Sequence, residues 1–256
     1  MPKDEYQKQV INDEFLRRAA QLQIAPGPVG DDVPEWTADG IEELPGFFNS
    51  TADIWDQKFG AEPDDPFYQA VALQIPQTEA PIEILDLGCG TGIQLEFVFK
   101  RAPNAKVTAV DRAPNMLKQL HAKFANKTEQ LKLQQGSLLE LTFGHHAYDY
   151  AISTLTMHHF LPEKKVDIYK EVRKALRATG IYIEGDQTNT LKGEKSTLYW
   201  YDRWIAKLPG GDSAEWNYDI TLSPQTQARI LQEAGFSEVQ LTWHHPAEGA
   251  VHVAKY

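Results

Sequence analysis

Between residues 82 and 186 the chain alternates two kinds of hydrophobic pattern. The short runs "IEILDLG", "KVTAVD", "LKLQQG", "YDYAISTL" and "GIYIEGD" are β-rich and largely apolar, as strands are when both faces of a parallel sheet are covered. Between them, "IQLEFVFKRA", "PNMLKQLHAKFAN" and "PEKKVDIYKEVRKALR" place apolar residues at helical spacing. This alternation predicts βαβ units and a parallel sheet with helices on both faces. An aromatic-rich insert at 187–220 breaks the pattern. Then "SPQTQARILQEAGF" reads as a helix with Ser-Pro as N-cap and first helical residue and Gly-Phe at its close. "SEVQLTWH" and "GAVHVAKY", joined by "HPAEG", predict an antiparallel hairpin.

Residues 1–80 lack this order. A helix-like opening leads into the Pro- and Gly-punctuated "APGPVGDDVPEW", then "LPGFFNSTADIWDQKFG" and a short helical pattern at "PFYQAVALQI". The expected organisation is a helical and irregular cap over 1–80 and one α/β domain over 81–256, with a helical lid inserted at 187–220. A chain of 256 residues suits one sizeable core of this kind. The net charge of −11 repels nucleic acid and anionic membranes, and no run of Lys and Arg overrides it. Cys89 is the single cysteine, so no internal disulfide or Cys-based metal site is expected, and a reducing cytoplasm is implied. The first residues are charged throughout, without an apolar stretch like that of a secretory signal, and nowhere do 18 apolar residues run together.

Candidate chemistry concentrates in "ILDLGCGTGIQ", where the first strand meets the first helix. Gly88, Gly90 and Gly92 free the backbone there to bend and to approach a ligand, at the sheet edge where open α/β folds bind them. The third glycine comes one residue too early for a dinucleotide fingerprint, and Ile93 takes that glycine's place. Asp86 would repel a pyrophosphate but suits an ammonium or a sulfonium. Asp111, at the tip of the second strand, can take both hydroxyls of a ribose, or simply cap the next helix. Met116, one turn into that helix, can pack on a base, while Gly136 and Ser137 leave the third strand within reach of a base edge.

These segments, with "YDYAISTLTMHHF" and "LRATGIYIEGD", resemble in order and spacing the class I S-adenosylmethionine-dependent methyltransferases over about residues 82–186. The resemblance implies a Rossmann-like, doubly wound sheet of seven strands, the last antiparallel. It implies S-adenosylmethionine as cofactor and methyl transfer to a small-molecule acceptor. Carried over by position, Asp86, Gly88 and Gly90 hold the methionine end and Asp111 the ribose, with Cys89, Gly92 and Arg112 also in the cofactor site. Met116 and Ser137 hold the adenine, with Gly136 and Leu138 also in the cofactor site, while Thr154 and Leu155 form the floor beneath the sulfonium. "STADIWDQKFG" is similar to the segment that covers the cofactor, with Trp55 where a tyrosine is common.

His158 and His159 follow the fourth strand and are the candidate general bases, since histidine titrates near neutral pH. They can equally cap and pack. A metal site is not expected, because no carboxylate cluster accompanies them locally. Tyr199, Trp200, Tyr201, Trp204, Trp216 and Tyr218 in the insert suit either a lid over an organic ligand or a packed helix. The expected partner is a small molecule, with neither nucleic acid nor membrane, in a monomer or homodimer. Two alternatives stay open at this point. One is a cofactor-binding protein without transfer activity. The other is a carboxylated-cofactor enzyme on the same fold, which would need a cation such as Arg203 aimed at the extra carboxylate.

Overall fold

The computed structural model describes residues 41–205, 208–210 and 215–256. The helix expected at the start of the chain and the Pro-Gly loop behind it lie outside the described residues. Five parallel strands carry the fold: β1 (Glu83–Leu87), β2 (Lys106–Asp111), β3 (Leu131–Gln135), β4 (Tyr148–Thr154) and β5 (Leu176–Asp186). The predicted hairpin forms as β6 (Glu238–His245) and β7 (Gly249–Lys255), and β7 runs antiparallel to both β5 and β6. The seven strands lie in the order β3-β2-β1-β4-β5-β7-β6. Chain direction across the sheet reverses between β1 and β4, and in open α/β sheets the crevice beyond that point is where ligands bind.

Both faces of the sheet are covered, which explains why the strands read as unbroken apolar runs. Leu85, Leu87 and Ala151 face one core with α6 (Pro162–Ala175) and α8 (Pro224–Glu233). Ile84, Ile152 and Ile183 face the other with α3 (Pro66–Ala72), α4 (Ile93–Arg101) and α5 (Pro114–Lys123). Each fully buried side chain of this size contributes about 1.5–3 kcal/mol relative to exposure. Local chemistry sets the helix starts. Ser223 Oγ accepts from Thr226 N with Pro224 at the first position, and Asp65 accepts from Phe67 N and Tyr68 N ahead of Pro66. One boundary differs from the sequence reading, which carried α6 to Arg177 and began the strand at Gly180. The helix stops at Ala175, and Leu176 already pairs with Tyr148. Ile181 pairs with Tyr150, so residues 177–180 loop out between two nearly adjacent partners.

The insert contains α7 (Leu191–Ile205). Leu198 and Tyr201 are buried in the first core, and Tyr218 packs on Tyr201 with ring centroids 5.5 Å apart. The aromatic residues of the insert whose side chains are described therefore pack against the domain, and none of them lines the cavity described below. What the insert contributes to that cavity is the polar segment that follows. There Glu43 and Trp216 form an antiparallel bridge; Leu44 N donates to Glu215 O at 2.9 Å and Asn217 N to Glu42 O at 2.8 Å. Ahead of the sheet, α1 (Leu44–Thr51) and α2 (Trp55–Phe59) are seated on α5. Asn115 N donates to Asn49 Oδ1, and Gln119 Nε2 donates to Asp53 Oδ1 at 2.5 Å. Among the described residues no helix is long and apolar enough to cross a membrane.

Candidate active site

The three glycines of the β1–α4 corner all adopt positive φ, +68° at Gly88, +52° at Gly90 and +80° at Gly92, but for different reasons. A Cβ at Gly88 would run into the Thr156 side chain, and one at Gly92 would meet Phe124 and Leu120. Both positions are small to let protein pack. At Gly90 an added Cβ meets nothing within 4 Å. That space is a cavity of about 670 Å³ at the carboxyl edge of β1 and β4. Fifteen of the sixteen site residues expected from sequence line it; Gly92 does not. It serves as the left-handed cap of α4, turned towards Phe124 rather than the cavity.

One end of the cavity is built on the tips of β1, β2 and β3. Asp86 is 2% exposed and its Oδ2 has no hydrogen-bond partner. Burial, then the charge of Asp111, pushes its pKa up to about 8. Asp111 accepts from Gly90 N and Ala113 N, each at 2.8 Å, leaving about half of a carboxylate's four acceptor sites open. Burial raises its pKa, against the backbone amides that lower it. Met116 is buried on the wall, as is Cys89, whose thiol burial pushes well above its usual value. Thr154 Oγ1 reaches Gln94 Oε1 at 3.4 Å, and Leu155 holds a φ of +52° at the end of β4. Gly136 and Leu138 flank Ser137, whose Oγ donates to Glu215 Oε1 at 2.6 Å. Arg112 forms an ion pair with the same Glu215. This residue escapes sequence reasoning because it lies 78 positions from Ser137 in the chain and belongs to no motif.

The other end holds the two histidines. His158 Nδ1 lies 2.5 Å from Asp186 Oδ1, and its backbone N donates to Asp186 Oδ2 at 2.8 Å. Burial alone would lower the pKa of His158; the Asp186 carboxylate more than offsets this and holds it above the usual histidine value. Burial, then His158, holds His159 well below that value. Asp219 Oδ1 stands 3.6 Å from His158 Nε2 and 3.8 Å from His159 Nδ1. The carboxylates absent from the local sequence thus arrive from the end of β5 and from the end of the insert. Phe48 and Trp55 form an aromatic wall from the N-terminal segment, with Phe48 edge-on to His159 at 5.5 Å. Arg203 lies over the Trp200 ring at 5.5 Å and is not among the residues of the cavity wall.

A family model described as a methyltransferase domain matches residues 84–180. The malonyl-[acyl-carrier protein] O-methyltransferase of Herminiimonas arsenicoxydans is 29% identical over 178 residues, 68% of this chain and 61% of that protein. Among solved structures, the DhpI–SAH complex superposes with a TM-score of 0.61 at 16% identity, over 82% of this chain and 94% of that one. Human N-acetylserotonin methyltransferase in complex with SAM gives 0.55 at 15% identity, over 82% and 55%. The chain is similar to methyltransferase domains over residues 84–180 and shares the fold of these solved structures. It spans about half to three-fifths of the length of several curated relatives it matches.

The human N-acetylserotonin methyltransferase structure holds SAM, and the residues lining the present cavity fit such a ligand. The unpartnered buried oxygen of Asp86 answers the ammonium of the methionine end, and the open space over Gly90 admits a ligand against the backbone.

Proposed function

We propose that the chain transfers a methyl group from S-adenosylmethionine to a small organic acceptor. The observation that carries this reading is Asp86, a carboxylate buried without a partner for Oδ2 beside a glycine whose missing Cβ opens onto the cavity. A buried ionisable group is costly unless paired, and the paired state here is the one with a cation bound. When bound, the cofactor supplies a methyl on a sulfonium, open to in-line displacement. Asp86 holds the ammonium, Asp111 the ribose hydroxyls, and Met116 with Leu138 flanks the base. The ion pair and hydrogen bond of Glu215 with Arg112 and Ser137 fix the rim of this half. The segment at 41–80 and the end of the insert close the cavity from the outside and keep water from the reacting centre.

His158 is the proton acceptor for the acceptor's nucleophile. Asp186 on Nδ1 orients the ring so that Nε2 faces the cavity, and stabilises the imidazolium once it forms. His159, held neutral, positions the acceptor beside it. The relative from Herminiimonas is named for a malonyl acceptor, which carries a carboxylate. That acceptor does not transfer to this chain. Among the described residues the cavity wall holds one Lys or Arg, Arg112, and it is paired with Glu215. The aromatic wall instead favours an acceptor with an apolar body.

The test is incubation with methyl-labelled S-adenosylmethionine and a fractionated metabolite extract, followed by mass spectrometry. A labelled small molecule is expected, and its formation should cease in His158→Ala. Tight cofactor binding with no labelled product in any fraction would overturn the reading and leave a cofactor-binding protein without transfer activity.

A further inference from the structure

Three side chains converge at the acceptor end of the cavity: His158, His159 and Asp219 each bring one ring nitrogen or carboxylate oxygen, and the three atoms lie within 4.8 Å of one another. Asp219 is too far from either ring nitrogen for a hydrogen bond, at 3.6 and 3.8 Å. His159 Nδ1 is buried with no hydrogen-bond partner, and the side chain is only 7% exposed. A buried acceptor left unmade costs about 1–3 kcal/mol, so this arrangement calls for a donor from outside the chain. With the three atoms this close, one nitrogen can stand about 2.8 Å from each, an ordinary hydrogen-bond length. A protonated primary amine carries three N–H donors, one for each acceptor.

Charge points the same way. Asp186 and Asp219 bring two carboxylates to the histidine pair, and Lys165, buried behind them, faces Glu184 and Glu194 as well as Asp186. Glu248 adds a further carboxylate to the wall, where the paired Arg112 is the one Lys or Arg among the described residues. An anionic acceptor meets like charge there; a cationic one meets a partner. Next to the tripod, Phe48 and Phe160 present aromatic surface on which an organic cation is also held.

We propose that the acceptor of this enzyme is an amine with an apolar, aromatic-sized body, its ammonium seated on His158, His159 and Asp219. This rests on the methyl-transfer reading and narrows it. The partner carrying the charge is Asp219, half-exposed at the mouth. At about 3 Å an ion pair of intermediate dielectric contributes enough for roughly tenfold in affinity or more.

The test is calorimetric titration of the protein, saturated with S-adenosylhomocysteine, with three probes of one shape: 2-phenylethylamine, 2-phenylethanol and phenylacetate. The amine is expected to bind about tenfold or more tighter than the alcohol, with the carboxylate weakest. Asp219→Asn should erase that preference while leaving affinity for S-adenosylhomocysteine unchanged. Equal binding of the three probes, or a preference for phenylacetate, would overturn the proposal. So would an amine preference that survives Asp219→Asn. A fourth titration with zinc chloride covers the remaining occupant of a two-histidine, one-carboxylate set. Stoichiometric zinc binding that is lost in Asp219→Asn, together with loss of amine binding in EDTA, would assign the tripod to a metal and overturn the amine seat. Because these are binding measurements, they stand apart from the methyl-transfer reading. A protein that shows the amine preference yet labels no acceptor of any class would refute transfer and keep the seat; one that labels only phenols or acids would do the reverse.

Discussion

The two ends of the cavity are built in opposite ways. At the cofactor end, Asp86, Gly88, Cys89 and Gly90 come from one continuous corner, and Asp111, Met116 and Ser137 from the next two strand ends. At the acceptor end, His158 follows β4, Asp186 closes β5, Asp219 lies at the end of the insert and Phe48 precedes the sheet altogether. On the proposed reading, the first end recognises a fixed ligand with backbone geometry and two buried carboxylates. The second recognises a variable one with side chains brought together from four separate segments. A local site can be inherited as a block, whereas an assembled one can change by substituting a single segment.

Substitutions should separate the two ends, and the largest effect falls on turnover. His158→Ala and Asp186→Asn should each lower kcat by about 10²–10⁴-fold while leaving the Kd for S-adenosylmethionine nearly unchanged. If His158 is the proposed base it works deprotonated, and since Asp186 holds its pKa above the usual value, kcat/KM should rise with pH through a midpoint above about 6.5. In Asp186→Asn that midpoint should move to lower pH. A fall in cofactor affinity matching the fall in kcat would merge the two ends and break the comparison.

Gly90→Val comes next and acts on the other end alone. The added Cβ meets no protein atom within 4 Å, so the fold is expected to be kept at the cost of about 1–2 kcal/mol of left-handed strain. Cofactor binding should fall by about a hundredfold or more, as the branched side chain fills ligand space; overpacking on this scale costs ~1–3 kcal/mol, occasionally more. Gly92→Ala is the control: it should cost stability through Phe124 and Leu120, with little change in Kd for the protein that remains folded. Equal losses of affinity in the two variants, measured by calorimetry, would erase the distinction drawn between these glycines.

Asp111→Ala gives the smallest loss of the three, about 1–3 kcal/mol of cofactor affinity, because its oxygens also serve two backbone amides that the ligand does not replace. Unchanged affinity in the folded variant would remove Asp111 from the ribose and leave it a capping residue.

This division also governs what could be read from sequence. The parallel sheet, the hairpin and the corner were legible because each rests on local spacing: apolar runs for doubly covered strands, Ser-Pro for the start of α8, glycines where φ must be positive. The early end of α6 was not, since Leu176 joins the sheet through its pairing with Tyr148. Asp186 stood in plain view as a carboxylate at a strand tip, like Asp111, and the rule applied to β2 would have found it at β5. Glu215 and Asp219 carry no such mark. Their roles come from a segment held against Glu42 and Leu44 by backbone hydrogen bonds, a contact between distant parts of the chain. Within the insert, spacing alone could not tell a packed aromatic helix from a lid, and it is the burial of Leu198 and Tyr201 in the core that shows where this part packs.

The most direct test of the central claim is the proton balance of cofactor binding. In the free protein Asp86 has a pKa raised to about 8, so at pH 6.5 it is mostly protonated. Its raised value means that its ionisation destabilises the free protein progressively as pH rises from about 4 through 8, an effect that Asp86→Asn should remove. A bound ammonium favours the ionised form, so binding must release that proton. Titration of S-adenosylmethionine at pH 6.5 in two buffers of different ionisation enthalpy should report about one proton released per cofactor. Affinity should increase by up to about tenfold per pH unit towards 7.5, where the free α-amino group is still largely protonated. In Asp86→Asn both the release and the pH dependence should vanish, with weaker binding by about 1.5–3 kcal/mol. Binding without proton release in the native protein, or an unchanged release in Asp86→Asn, would contradict the placement of the cofactor's ammonium on Asp86 and with it the account of this cavity.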